Sequence, residues 1–124
     1  MSLDLKLTHE LRGTTLKISG QLDTDTAPQM TPIIDQLKQR PPNILILELK
    51  DLTYISSAGL RCIFQMKKLV NAELGRLVIS QPTPQVQKVF DIIKAVPVQS
   101  VFSSTSELDA YLDKMQRKVI DEQE

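Results

Sequence analysis

Apolar residues recur with two periods along this chain, and the switches between them mark out its elements. Leu3 to Glu10 and Thr14 to Gly20 read as two short strands on either side of the turn Arg12-Gly13, which predicts an antiparallel hairpin. Met30, Ile33, Ile34 and Leu37 then share one helical face. They follow Asp23-Thr-Asp-Thr-Ala-Pro28, a stretch rich in capping residues with a proline near the first turn, while Lys38 and Arg40 suit that helix's negative end. Pro32 lies beyond the first turn in this reading. There it removes a hydrogen bond and crowds the preceding turn, so an irregular or kinked start is expected.

Asn43 to Leu49 is almost continuously apolar, the pattern of a central strand covered on both faces. Leu60, Ile63, Phe64 and the stretch Lys67 to Val70 return to helical spacing, and Gly75 marks the stop. Arg76 to Ser80 predicts another short strand, and Thr83-Pro84 caps a helix carrying Val86, Val89, Phe90 and Ile93. Val98 to Ser103 reads as an edge strand. Ser104 and Glu107 have capping-box spacing ahead of Leu108, Tyr111, Leu112 and Met115, after which the polar end from Lys118 to Glu124 is expected to fray. The alternation predicts an α/β fold: a mixed sheet of about five strands, with an antiparallel N-terminal hairpin and parallel later strands, and about four helices. Residues 1–124 form a single domain in this reading, with a core over about 3–115 and a polar tail.

Composition narrows the function. Fifteen basic and fifteen acidic side chains cancel, so no global field draws the chain to nucleic acid or an anionic membrane. No apolar run approaches the roughly 20 residues of a membrane span, and no secretory leader pattern opens the chain, so a soluble cytoplasmic protein is expected. The single cysteine, Cys62, excludes an intramolecular disulfide and a thiolate metal cluster within one chain, and no cofactor or metal is expected. Its neighbours Leu60, Ile63 and Phe64 make Cys62 a small core residue rather than a reactive thiol. Met30, Met66 and Met115 belong to apolar helical faces, and Lys67-Lys68 to a solvated one. His9, the only histidine, lies in the first strand facing solvent.

The most informative stretch is Asp51-Leu-Thr-Tyr-Ile-Ser-Ser-Ala-Gly-Leu-Arg61, where a strand gives way to a helix across two serines. The N–H groups at a helix start lack intrahelical partners and, with the helix dipole, favour negative charge. A serine there is well placed to carry a phosphate. Taken alone, a Ser-Ser pair before a helix is more often an N-cap, and Asp23 and Asp25 serve equally well as caps of the first helix. Hydrolase chemistry is unsupported, since Ile55 stands where a Gly-x-Ser-x-Gly elbow needs glycine. Ser-Ser-Ala-Gly also lacks the Gly-Lys-Ser/Thr of a phosphate-binding loop. The chain is not expected to be an enzyme.

Two segments together change the odds: Gly20-Gln21-Leu22-Asp23 followed by Thr26-Ala27, and Asp51-Leu52 followed by Ile55-Ser56-Ser57-Ala58-Gly59-Leu60. Over roughly residues 3 to 115 the chain resembles a STAS domain of the bacterial anti-sigma factor antagonist type. The resemblance implies a phosphorylation-controlled binding protein in the regulation of transcription. Ser57 is then the phosphoacceptor of an ATP-dependent serine kinase that doubles as an anti-sigma factor, and a metal-dependent serine phosphatase reverses the modification. The unphosphorylated domain binds the kinase, and the phosphorylated domain releases it. Asp23 is implied beside the serine, and Gly59 allows a crowded helix start. Thr24, Ser56, Ala58, Leu60 and Arg61 complete the implied partner surface. In place of the aspartate that many members carry before the serine, this chain has Ser56, which lowers the local charge. The competing reading is a STAS subunit docked to a lipid-transport ABC system or an anion transporter without phosphoswitching.

Overall fold

The computed structural model describes residues 2–97 and 101–123. Strands β1 (Leu3–Glu10) and β2 (Gly13–Leu22) form the hairpin, paired antiparallel from Leu3 with Gly20 to Glu10 with Gly13. A short 3-10 turn, Ala27–Met30, leads into α1 (Thr31–Gln39). There follow β3 (Ile44–Glu48), β4 (Leu52–Ile55), α2 (Ser57–Ala72), β5 (Arg76–Ser80), α3 (Pro84–Ala95) and α4 (Thr105–Glu122). The expected break near Pro32 is real and has a simple form. Pro28 opens the 3-10 turn and Pro32 opens the α-helix proper, so each ring sits where a missing N–H removes no helical bond.

The sheet runs β1-β2-β3-β5, with β4 also paired to β2, and every pairing except β1 with β2 is parallel. Because β1 occupies one edge of β2, β3 and β4 share the other: β3 pairs with Thr14 to Lys17, and β4 with Gly20 to Leu22. Between them the chain makes a tight turn in which Leu52 N–H donates to the Leu49 carbonyl at 3.1 Å. The register slips between Gly20 and Gln21, where Gly20 has a φ of +98° and a Cβ would lie 2.3 Å from the Ser2 carbonyl oxygen. Glycine is needed there both for conformation and for space.

Several sequence expectations are corrected. The strand entering the serine helix is not the apolar run itself but a separate short strand, β4 (Leu52–Ile55). Of the expected edge strand, residues 98–100 lie outside the described residues, and Val101 to Ser103 are not extended; Val101 N–H donates to the Pro97 carbonyl. The run of β3 is not sealed on both faces. Leu45 and Leu47 are buried while Ile44, Ile46 and Glu48 are half-buried, because the helices supply the deep core on one face. Phe64 is exposed rather than packed inside. At the other end the helix runs on through the segment expected to fray from Lys118, as far as Glu122, and Gln116, just past the expected core, is fully buried.

One core joins Leu16, Ile18 and Leu22 of β2 with Leu45 and Leu47 of β3 and with apolar residues of all four helices, among them Leu37, Met66, Val89 and Leu112. Among the described residues no helix is long and apolar enough to cross a membrane.

Candidate functional site

The site is built where β2 and β4 end side by side. Leu22 pairs with Ile55, and the Ser56 N–H donates to the Leu22 carbonyl at 2.9 Å, so Asp23 and Ser56 leave the sheet as neighbours in register. Ser56 is the N-cap of α2 and its Oγ accepts from Gly59 N–H at 3.3 Å. Gly59 is pressed against the same junction: a Cβ there would lie 2.7 Å from Leu22 Cγ and 2.9 Å from Ile55 Cγ1. The implied crowding at Gly59 is therefore a property of this packing.

Asp23 folds the opposite lip. Its Oδ1 accepts from Asp25 N–H at 2.9 Å and Thr26 N–H at 3.0 Å, and its own N–H donates to Thr26 Oγ1 at 2.9 Å. The Thr26 hydroxyl donates to the Gln21 carbonyl at 2.8 Å. The capping role expected of Asp23 is thus taken up by one oxygen. The other, Oδ2, is buried and has no hydrogen-bond partner among the described residues. Asp25 and Thr24 are exposed.

Ser57 departs from expectation in two respects. Its side chain is expected to face an incoming protein, yet the residue is 7 % exposed and its Oγ is buried without a partner among the described residues. The N–H groups at this helix start are expected to be open to a phosphate, yet that of Ser57 donates to Asp109 Oδ1 of α4 at 2.8 Å. The reason is tertiary: α4 packs against α3 and α2 and brings a carboxylate to the helix start, where negative charge is favoured. Ser56, Gly59 and Leu60 are buried as well, Ala58 is half-buried, and Thr24 and Arg61 are the exposed members of the implied surface.

Three residues that sequence reasoning passed over, Asp109, Gln85 and Gln116, complete the junction. Gln116 accepts from Ile55 N–H at 3.0 Å and donates to the Ile55 carbonyl at 2.8 Å, replacing a neighbouring strand on the free edge of β4. Gln85 and Thr83 donate to the Thr53 and Leu52 carbonyls at 3.0 and 2.8 Å. The Thr83 hydroxyl therefore serves β4 and makes no cap bond on its own helix. The available signal was a carboxylate and an amide, Asp109 and Gln116, set on the same stripe of α4 as Leu112. Tyr54, on β4, has its pKa raised from 10.0 to about 12, first by burial and then by the neighbouring Asp113 carboxylate. Burial likewise raises the Cys62 thiol. His9 sits at the hairpin end, 3.1 Å from Thr14 Oγ1.

Residues 4–108 match the STAS domain. The chain belongs to the STAS domain family. This STAS domain is 26% identical over 102 residues to the anti-sigma F factor antagonist of Paenibacillus polymyxa, across 79% of this chain and 87% of that one. An anti-sigma factor antagonist from Mycobacterium paratuberculosis shares the fold with a TM-score of 0.60, at 20% identity over 97% of this chain and 96% of that one. The Bacillus cell fate determinant SpoIIAA in its phosphorylated form does so with a TM-score of 0.57, at 22% identity over 81% of this chain and 96% of that one. Among the described residues of this STAS domain, the mixed sheet of five strands and the four α-helices agree with the architecture expected from the sequence.

Proposed function

We propose that this STAS domain is an anti-sigma factor antagonist switched by phosphorylation of Ser57. Unphosphorylated, it binds an anti-sigma factor that is also a serine kinase; phosphorylated, it is released, and a metal-dependent phosphatase restores it. It works by binding rather than catalysis, in the cytoplasm. The observation that carries this reading is Ser57 as the first residue of α2, at the joint end of β2 and β4 and in register beside the Asp23 loop. The antagonists to which the chain is similar, one of them in a phosphorylated form, support it.

The physical switch is charge. A phosphate adds about −1.5 to −2 charges, and covering such a group with a partner that offers no cation costs several kcal/mol. A loss of about 1.4 kcal/mol already weakens binding tenfold. Asp23, with one carboxylate oxygen unpartnered, adds repulsion of the same sign. Incubation with ATP and the host's serine kinases, followed by mapping of the modified residue, tests the assignment. Label is expected on Ser57 and is lost in Ser57→Ala, which remains a binder that cannot be turned off. Equal partner affinity for the modified and unmodified forms overturns the reading.

A further inference from the structure

The C-terminal helix holds the backbone on both sides of Ser56. On one side Asp109 takes the Ser57 N–H at 2.8 Å, and on the other Gln116 closes both hydrogen bonds of Ile55. The two gripping residues lie about two turns apart on α4. Thr105 and Leu108, at its start, line a shallow groove together with Ser57, Leu60, Arg61 and Phe64. Within this arrangement the Ser57 hydroxyl is buried and has no partner among the described residues, a state that costs free energy.

We infer that α4 is a clasp over the phosphoacceptor: docked, it withholds the Ser57 hydroxyl from a kinase, and release of its first half presents that hydroxyl. The inference deepens the phosphoswitch reading and rests on it for its biological meaning. Phosphoryl transfer forms the bond from Ser57 Oγ to the γ-phosphorus of ATP and breaks that phosphorus's bond to the bridging oxygen. ADP leaves, and the hydroxyl proton passes to the kinase. The phosphorus must approach Oγ in line, which a sealed oxygen does not permit. After transfer, the phosphate and the Asp109 carboxylate compete for the same N–H and repel each other, so the modified form also disfavours the docked helix. The grip is uneven. Asp109 is half-buried and makes one bond, whereas Gln116 is fully buried and makes two with Ile55, so opening starts at the Asp109 end while the second half stays anchored.

The test replaces the hydroxyl by a thiol and needs no kinase. In a Cys62→Ala background, Ser57→Cys is treated with a soluble aromatic disulfide reagent, alone and combined with Asp109→Ala or Gln116→Ala. Rates are compared as thiolate rate constants from a pH profile, which separates access from the change in thiol acidity that loss of a carboxylate causes. The clasped form is expected to react far more slowly than the urea-unfolded chain. Asp109→Ala is expected to accelerate it about tenfold or more, the factor that corresponds to about 1.4 kcal/mol of lost docking. Circular dichroism establishes that each variant is folded, and Asp109→Ala carries the test if Gln116→Ala does not fold. A clasped thiol that reacts like the unfolded chain, or one indifferent to Asp109→Ala, overturns the inference. Failure of the phosphoswitch reading looks different: the thiol gate opens as expected, yet no host kinase labels either the wild type or Asp109→Ala.

Discussion

At Gly59 two tendencies oppose each other. Alanine is the better helix former by roughly 1 kcal/mol, but the new methyl meets Leu22 Cγ at 2.7 Å, the Leu22 carbonyl oxygen at 2.8 Å and Ile55 Cγ1 at 2.9 Å. Backbone and core side chains have little room to yield, so Gly59→Ala is expected to destabilise the domain by about 1–3 kcal/mol in urea unfolding. A stabilised variant would mean the junction is looser than described. Tyr54 gives a second residue-scale test. Its folded pKa, about 12, lies above the ordinary 10.0, so the folded state favours the neutral phenol. The stability this contributes is fully present below pH 10 and is lost as pH rises from about 10 to 12. Phenolate absorbance, assigned by comparison with Tyr54→Phe, should show the late titration; a midpoint near 10 refutes it.

Among the elements, β4 has the least self-sufficient hydrogen bonding. It is four residues long, pairs with β2 on one edge, and takes Gln116, Gln85 and Thr83 on its remaining carbonyls and N–H. A side chain here does what a strand does elsewhere. Gln116→Leu keeps the volume and leaves the Ile55 N–H and carbonyl buried without partners, which is expected to cost about 2–4 kcal/mol. A loss below about 1 kcal/mol would show that water or a small rearrangement replaces the amide. Local sequence signals served the elements well where an element is defined by its own period. The Ser104–Glu107 spacing is a working cap, with Ser104 Oγ accepting from Glu107 N–H at 3.1 Å, although the glutamate reaches back to Ser103. They failed where a second, short strand follows directly on an apolar run, as β4 follows β3, because the turn at Lys50-Asp51 follows from the pairing of both strands to β2.

Over the whole molecule, the hairpin, the parallel strands and all four helices contribute to one hydrophobic cluster, so the domain should unfold as a unit. Leu47, fully buried at its centre, is the position to test. Leu47→Ala is expected to cost about 2–5 kcal/mol and to lower Tm by on the order of 10 °C. Helix content and Cys62 reactivity should change together in a single transition. Separate transitions for the sheet and for α4 would instead make the C-terminal helix an independent unit.

The amino-acid order by itself determined the alternation of elements, the parallel character of the later strands, the STAS resemblance and the position of Ser57 at a helix start, because each follows from local period, caps and spacing. Only the tertiary structure decided what surrounds that serine. Asp109 and Gln116 are more than fifty residues from the groups they hold in the chain, at separations of 52 and 61. No periodic signal reports which backbone a polar residue on an apolar stripe will meet. Burial is a property of the packed helices together, so whether one hydroxyl faces water or the protein interior is settled only when those helices pack.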